Sequence, residues 1–322
     1  MGDKKEEGQA KTESFDYKQT LFFTVLFPVI FLIAIIIVCV TYHIIPGPEF
    51  LILGFLVYAA TNKRTGRFLR DWLPFLTIFI SYELLYGLMG TYAATNLHSG
   101  PYNLEIWLFH TAPSISIQAI KSPILDVTTA LFYSTHFFAP TVFAFMLWRE
   151  SPKNYWKYTI AFAICTYGAL ITFLFYPVAP PWLDVHLASQ VQRSLTTQID
   201  PGIGFPVFRT VFDFLGSDAY AAFPSLHSAL PFLISLFAIR VWGKRGIPSL
   251  ILPVGVWFSV VYLGEHFVVD IFGGIAYATI AYLMVEYGLP FAAKHIAFLR
   301  KHVPPALLTK SQPMPRKANN KE

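Results

Sequence analysis

Long apolar runs broken by short polar or basic turns organise this chain. Leu21 to Ile45 is long enough to cross a bilayer, which takes about 20 apolar residues. Pro46-Gly47-Pro48 then turns the chain into a shorter run, Glu49 to Thr61, which either spans with the help of that turn or lies in the interface. Further spans are predicted at 72–90, 127–148, 156–176, 226–242, 248–265 and 268–289. Between them, residues 91–126 are mixed and aromatic, and 177–225 form a long loop rich in Pro and Gly. The pattern predicts an all-α, polytopic membrane helix bundle with six core helices and one or two N-terminal membrane helices. Residues 1–19 read as a disordered cytoplasmic tail, 20–290 as the membrane domain that carries any chemistry, and 291–322 as a basic cytoplasmic tail.

Composition agrees with the pattern. Only 13% of residues are charged and mean hydropathy is +0.50, whereas soluble domains carry about 25% charged residues. Both cysteines, Cys39 and Cys165, fall inside apolar segments, so no disulfide framework is implied. The first apolar run lacks a small-residue cleavage site and reads as an anchor. With eight spans, 21 of the 24 Lys and Arg fall on one side: the two tails and the loops 62–71, 149–157 and 240–248. Only Lys121, Arg193 and Arg209 fall on the other. Because cytoplasmic loops are enriched in Lys and Arg, both tails are expected in the cytoplasm. The compartment is the cell membrane if the source is prokaryotic, the Golgi or another endomembrane if eukaryotic. The tail segment FAAKHIAFLRKH reads either as an ordinary basic flank or as an amphipathic helix on anionic lipid.

That orientation gathers the chemistry-bearing residues on the non-cytoplasmic side. His227 and His266 lie 39 residues apart, each at a predicted helix end, and Asp270 follows His266 by one helical turn. Ser225 stands where it would cap the helix that carries His227, leaving a dipole end suited to an anion. An ionisable residue in a membrane segment costs about 2.5–3.5 kcal/mol at mid-bilayer, so Asp270 calls for a partner or a task. A carboxylate on one ring nitrogen fixes the tautomer and leaves the other nitrogen basic. His266 then suits a nucleophile and His227 the acid that protonates a leaving oxygen. The same three residues also admit metal binding or a structural pairing. The chain shows no Gly-rich nucleotide loop, Cys/His zinc spacing or internal repeat, so neither metal nor other cofactor nor nucleic acid is expected.

Pro224-Ser225-Leu226-His227 and Tyr262-Leu263-Gly264-Glu265-His266-Phe267-Val268-Val269-Asp270 resemble the second and third motifs of the type-2 phosphatidic-acid phosphatase superfamily. They look closest to its inositol phosphorylceramide synthase-like branch, as do Tyr176–Trp182 and Ser134–Pro140. The resemblance covers about residues 70–290. It implies that His227 is the acid/base, that His266 becomes phosphorylated and that Asp270 orients it. It further implies transfer of a phospho-headgroup from a phospholipid to a lipid or polyol acceptor. Hydrolysis of a lipid phosphate, of phosphatidic acid or polyprenyl phosphate type, is the alternative, and a lipid or proton-coupled transporter the alternative of another class. The superfamily's Ser-Arg before the third motif is replaced here by Ser259-Val260, and its first motif has no good match. Arg193, Arg209, Lys121 and His136 are the candidates to replace those phosphate-binding cations, Arg193 and Arg209 foremost. Glu265 reads as a tuner of His266, a ligand for an acceptor hydroxyl, or a solvent-facing helix start.

Overall fold

The computed structural model describes residues 48–87, 96–204, 206–210, 220–296, 301, 303 and 307–309. The expected span Leu21–Ile45, the tail 1–19 and most of 297–322 lie outside the described residues. The chain divides into two compact units, residues 1–73 and 74–322. In the first, α1 (Pro48–Thr61) ends in a turn closed by the Arg64 N–H on the Ala59 carbonyl at 2.7 Å. The start of α2 (Thr65–Gly87) stacks Phe68 on Trp72, and Arg67 and Arg70 both reach Asp71, at 3.3 and 3.0 Å. The boundary between the units falls inside α2, at Leu73/Pro74.

The second unit carries two short helices, α3 (Gly100–Phe109) and α4 (Pro113–Gln118), and then long apolar ones. Helix α5 (Pro123–Glu150) begins as its sequence dictates. Ser122 accepts from the Leu125 N–H, Pro123 is the first helical residue, Asp126 sits in the first turn and Arg149 in the last. Helix α6 (Pro152–Phe175) returns after one residue, Ser151. A loop that includes a π-turn (Leu195–Ile199) and the short helix α7 (Asp200–Ile203) leads to α8 (Leu226–Trp242), a 3₁₀ turn (Gly243–Leu250) and α9 (Ile251–Tyr262). Helix α10 (Val268–Leu283) runs through a π-turn into α11 (Leu289–His295).

Among the described residues, four runs are long and apolar enough to cross a membrane: 123–150, 152–175, 226–262 and 268–295. The 37-residue run 226–262 is a hairpin rather than a single rod. Trp257 on α9 donates to the Ser228 carbonyl on α8 at 3.4 Å, and Ser235 donates to the Ser249 carbonyl at 3.0 Å. At the bend Gly246 lies so close to α8 that a Cβ would stand 2.3 Å from the Ala238 carbonyl, so glycine is required there. Large apolar side chains face outward along these helices, Ile124 at 79% exposure and Phe272 at 56% among them. With the length and hydropathy of the runs, that outward face identifies lipid as the surroundings of an integral membrane protein.

The helix ends away from the histidines are tied by charge. Lys157 on α6 bonds Glu286 at 3.0 Å, both fully buried, and Arg240 on α8 lies 3.7 Å from the other Glu286 oxygen. Removing one member of a buried pair costs about 3–5 kcal/mol, because the other charge stays behind unpaired. Lys157→Met is therefore expected to lower the unfolding midpoint in detergent sharply. Lys157→Met combined with Glu286→Leu should recover much of the loss, and thermal unfolding of the purified variants checks both.

Candidate active site

At the opposite end of the bundle α8 begins at Leu226 and α9 ends at Tyr262, and five residues separate α9 from α10. Ser225 takes the cap position anticipated for it. Its hydroxyl accepts from the Ser228 N–H at 3.2 Å, it is fully buried, and its own N–H bonds the Asp270 carbonyl at 3.1 Å. Gly274 lets the two helices close at this point, since a Cβ there would stand 2.3 Å from the Ser225 carbonyl oxygen. The clash is with backbone, which has no rotamer in which to escape. Gly274→Ala is expected to cost about 1–3 kcal/mol as an overpacked contact and to reduce turnover, because it forces apart the helices that carry His227 and Asp270. Unfolding midpoints and initial rates on the same preparation check this.

A short bridge straps residue 178 to residues 220–222. The Val178 N–H bonds the Tyr220 carbonyl at 2.7 Å and the Ala222 N–H bonds the Val178 carbonyl at 3.1 Å. That strap presents the Ala222 carbonyl to His266 Nδ1 at 2.9 Å. Asp270 Oδ2 lies 3.4 Å from the same nitrogen and accepts the Phe267 N–H more closely, at 2.8 Å. Both neighbours of Nδ1 are acceptors, so Nδ1 carries the proton and Nε2 presents its lone pair. The carboxylate thus shares with a backbone carbonyl the orienting task expected of it alone.

His266 Nε2 meets His227 Nδ1 at 3.1 Å. With the lone pair on His266, His227 is the donor in this bond through Nδ1–H. Helix α5 builds the wall behind His227. Tyr133 stacks on it at 4.5 Å between centroids, His136 lies at 4.2 Å and Phe137 meets it edge-on. His227 Nε2 and His136 Nδ1 are buried without a hydrogen-bond partner. Burying such atoms unpaired costs about 1–3 kcal/mol each, a cost a polar ligand can offset.

The other candidates divide. Arg193 is brought beside the segment that carries His266, its Nε 2.9 Å from Glu265 Oε1 and its guanidinium 4.5 Å over the Trp182 ring. Glu265 is accordingly buried in an ion pair and is not a solvent-facing helix start. Arg209 is exposed and shares no hydrogen bond or ion pair with the histidines among the described residues; its N–H bonds Asp200 at 2.9 Å. It follows Phe208, whose ring meets Tyr133 edge-on. Lys121 bonds the Gln192 side chain at 3.2 Å, away from the histidines.

Two residues that sequence reasoning did not assign now stand out. Gln118 on α4 donates to the Tyr262 carbonyl at 3.0 Å and to the Gln192 carbonyl at 2.8 Å, tying the end of α9 to the loop. Glu105 on α3 is fully buried, and its Oε2 accepts the Val268 and Val269 N–H groups at 2.6 and 3.4 Å. The sequence offered only a carboxylate within the mixed, aromatic stretch 91–126. Among the described residues no group of three or more His, Cys, Asp or Glu is arranged to hold a metal ion.

A bundle of membrane helices that pairs two histidines at one end, one of them oriented by a carboxylate, belongs with membrane enzymes of phosphoryl transfer. The PAP2 superfamily model matches residues 102–284, and the chain belongs to that superfamily, as a phosphotransferase/phosphatase. Its relatives include inositol phosphorylceramide synthases. It is 25% identical over 235 residues to the phosphoinositol dihydroceramide synthase of Bacteroides thetaiotaomicron, an alignment covering 67% of this chain and 76% of that one. It is also 25% identical over 193 residues to the inositol phosphorylceramide synthase of Candida albicans, covering 57% of this chain and 41% of that one. The chain thus spans under half the length of the fungal relative. No solved structure matches it.

Proposed function

We propose that this enzyme transfers a phosphorylated polyol headgroup from a phospholipid to a lipid hydroxyl of ceramide type, through a phosphohistidine at His266. The observation that carries the reading is the 3.1 Å meeting of His266 Nε2, left unprotonated by the acceptors around Nδ1, with His227 Nδ1–H. A phosphodiester enters between the two rings and breaks their hydrogen bond. The Nε2 lone pair attacks phosphorus, the P–O bond to the donor's diacylglycerol oxygen breaks, and His227 Nδ1 gives that oxygen its proton. The acceptor hydroxyl oxygen then attacks phosphorus, the N–P bond breaks and returns its electron pair to His266 Nε2, and the hydroxyl proton goes to His227 Nδ1. The end of α8 behind Ser225, with Arg193 and Arg209, supplies the contacts to the phosphoryl oxygens. The choice of headgroup and acceptor follows the names of the relatives, and water in place of the lipid hydroxyl would make the same intermediate hydrolytic.

Purified protein given a headgroup-labelled panel of phospholipids and a ceramide tests the reading. A labelled phosphosphingolipid is expected. Release of a water-soluble phosphate alone would make it a hydrolase, and unchanged substrates would return the transporter reading.

The site is proposed to face away from the cytoplasm, on the Lys/Arg asymmetry. In a background lacking Cys39 and Cys165, Ser189→Cys in the loop 177–225 is expected to react with an impermeant thiol reagent in sealed, right-side-out cells or vesicles. Lys244→Cys in the α8–α9 turn is expected to react only after permeabilisation. The reverse pattern would put the site inside.

A further inference from the structure

We propose that Glu105 is a positioning residue for the reaction: it caps α10 from a different helix and so holds the segment that aims His266. The role rests on the reading of His266 and Asp270 given above. The need for it arises in the sequence of α10 itself. Its N-cap position is Phe267, whose side chain accepts no hydrogen bond, so the first-turn N–H groups have no local cap. Asp270 reaches back to one of them, Phe267, and in doing so divides its carboxylate between that amide and His266. The next two, Val268 and Val269, fall to Glu105 Oε2, from 163 and 164 residues away in sequence. If Glu105 did not take them, Asp270 would be the nearest acceptor on the helix, and its bond to His266 Nδ1 is already the longer of its two.

Glu105 is held for this task at some cost. It is fully buried, its Oε1 has no hydrogen-bond partner, and Asp270 Oδ1 is likewise buried and unpartnered. Burial pushes the Glu105 carboxyl up to about 7, with the nearby Asp270 adding to the rise against the two N–H bonds that favour its charged form. Two carboxyl groups at one helix terminus, with no Lys or Arg bonded to either among the described residues, are an expensive way to close a helix end. A local Ser or Asp cap would do it alone. The arrangement gains its use from where the helix end lies, directly after the nucleophile. Around it, Tyr102 and Ile106 of α3 pack with Phe267, Val269 and Ala222, the residue whose carbonyl holds His266, in one apolar cluster. Displacement of α3 would therefore move both acceptors of His266 Nδ1.

The test compares Glu105→Gln, which keeps an acceptor oxygen at the same reach, with Glu105→Leu, which fills the space without one. Both are purified as the full chain and assayed on the phospholipid donor that the wild type turns over best. The glutamine variant is expected to stay within about 3-fold of the wild-type kcat. The leucine variant is expected to fall about 100-fold or more in kcat, the size of effect that misplacing a reacting group by about 1 Å produces, with KM changed less than about 3-fold. Equal kcat in the two variants, or a leucine variant impaired in KM alone, would overturn the proposal. If the leucine variant does not fold, Glu105→Asp takes its place, with the charge kept and the oxygens withdrawn by one methylene. A kcat drop at near-wild-type unfolding midpoint supports the role, and an unchanged kcat ends it. These ratios are read on steady-state product, so they stand whichever residue is the nucleophile. Failure to trap label on His266 in the wild type would count against the nucleophile assignment alone.

Discussion

His266→Ala is expected to abolish both turnover and covalent labelling, and Asp270→Asn to lower turnover by several orders of magnitude without unfolding the protein. His266 is the one ring in the site whose tautomer is set from outside, by the Ala222 carbonyl and the Asp270 carboxylate on Nδ1. No other side chain among the described residues presents a lone pair so constrained. In a serine-protease triad, loss of the orienting carboxylate's charge costs about 10⁴ in kcat, through the wrong tautomer. Asp270→Asn can do the same here if its amide NH₂ faces the ring, for it then donates where Nδ1–H needs an acceptor. The Ala222 carbonyl remains as a second acceptor, so a loss of about 10²–10⁴ is expected rather than a complete one. Initial rates on purified variants, with circular dichroism to confirm the helices, check this. Near-wild-type turnover in Asp270→Asn would show that the carbonyl alone orients the ring.

Much of this was legible from sequence because it is local. Apolar length and basic turns gave the long helices and the 226–262 hairpin, and the four-residue spacing of His266 and Asp270 put both at one helix start. The Ser225 cap follows from the residues beside it, whereas the closeness of Gly274 to it joins positions 49 apart and needed three dimensions. What could not be read was supplied by parts of the chain far apart. The Ala222 carbonyl reaches His266 only because Val178 straps the loop, and a backbone acceptor leaves no trace in residue type. Glu105 was visible merely as a carboxylate within the mixed, aromatic stretch 91–126; its partners are amides 163 residues on. Arg193 was nominated by the count of cations on its side, whereas its partner Glu265 could be found only in three dimensions. The pairing of His227 with His266 was inferred as a shared task, yet the atom that carries the proton, Nδ1 of His227, needed geometry.

His227→Ala should separate proton transfer from bond formation at phosphorus. His227 has no carboxylate bonded to it; its walls are Tyr133, His136 and Phe137, and its Nδ1 donates to His266 Nε2. In the proposed mechanism it holds a proton where the leaving oxygen departs, and is displaced from His266 when substrate arrives. A lipid alkoxide is a poor leaving group and needs that proton, so turnover of a phospholipid should fall by about 10²–10⁴, the usual share of general acid–base catalysis. A nitrophenolate leaves without protonation. With a nitrophenyl phosphodiester the variant should still phosphorylate His266, and do so with less competition, since the inter-histidine bond that the substrate must break is gone. The second half-reaction loses its base, so the intermediate should accumulate. Acid-labile label trapped on His266 in His227→Ala, exceeding that in the wild type, is the expected result. Label on another residue, or equal loss of rate with lipid and nitrophenyl substrates, would show that His227 does something other than move the proton.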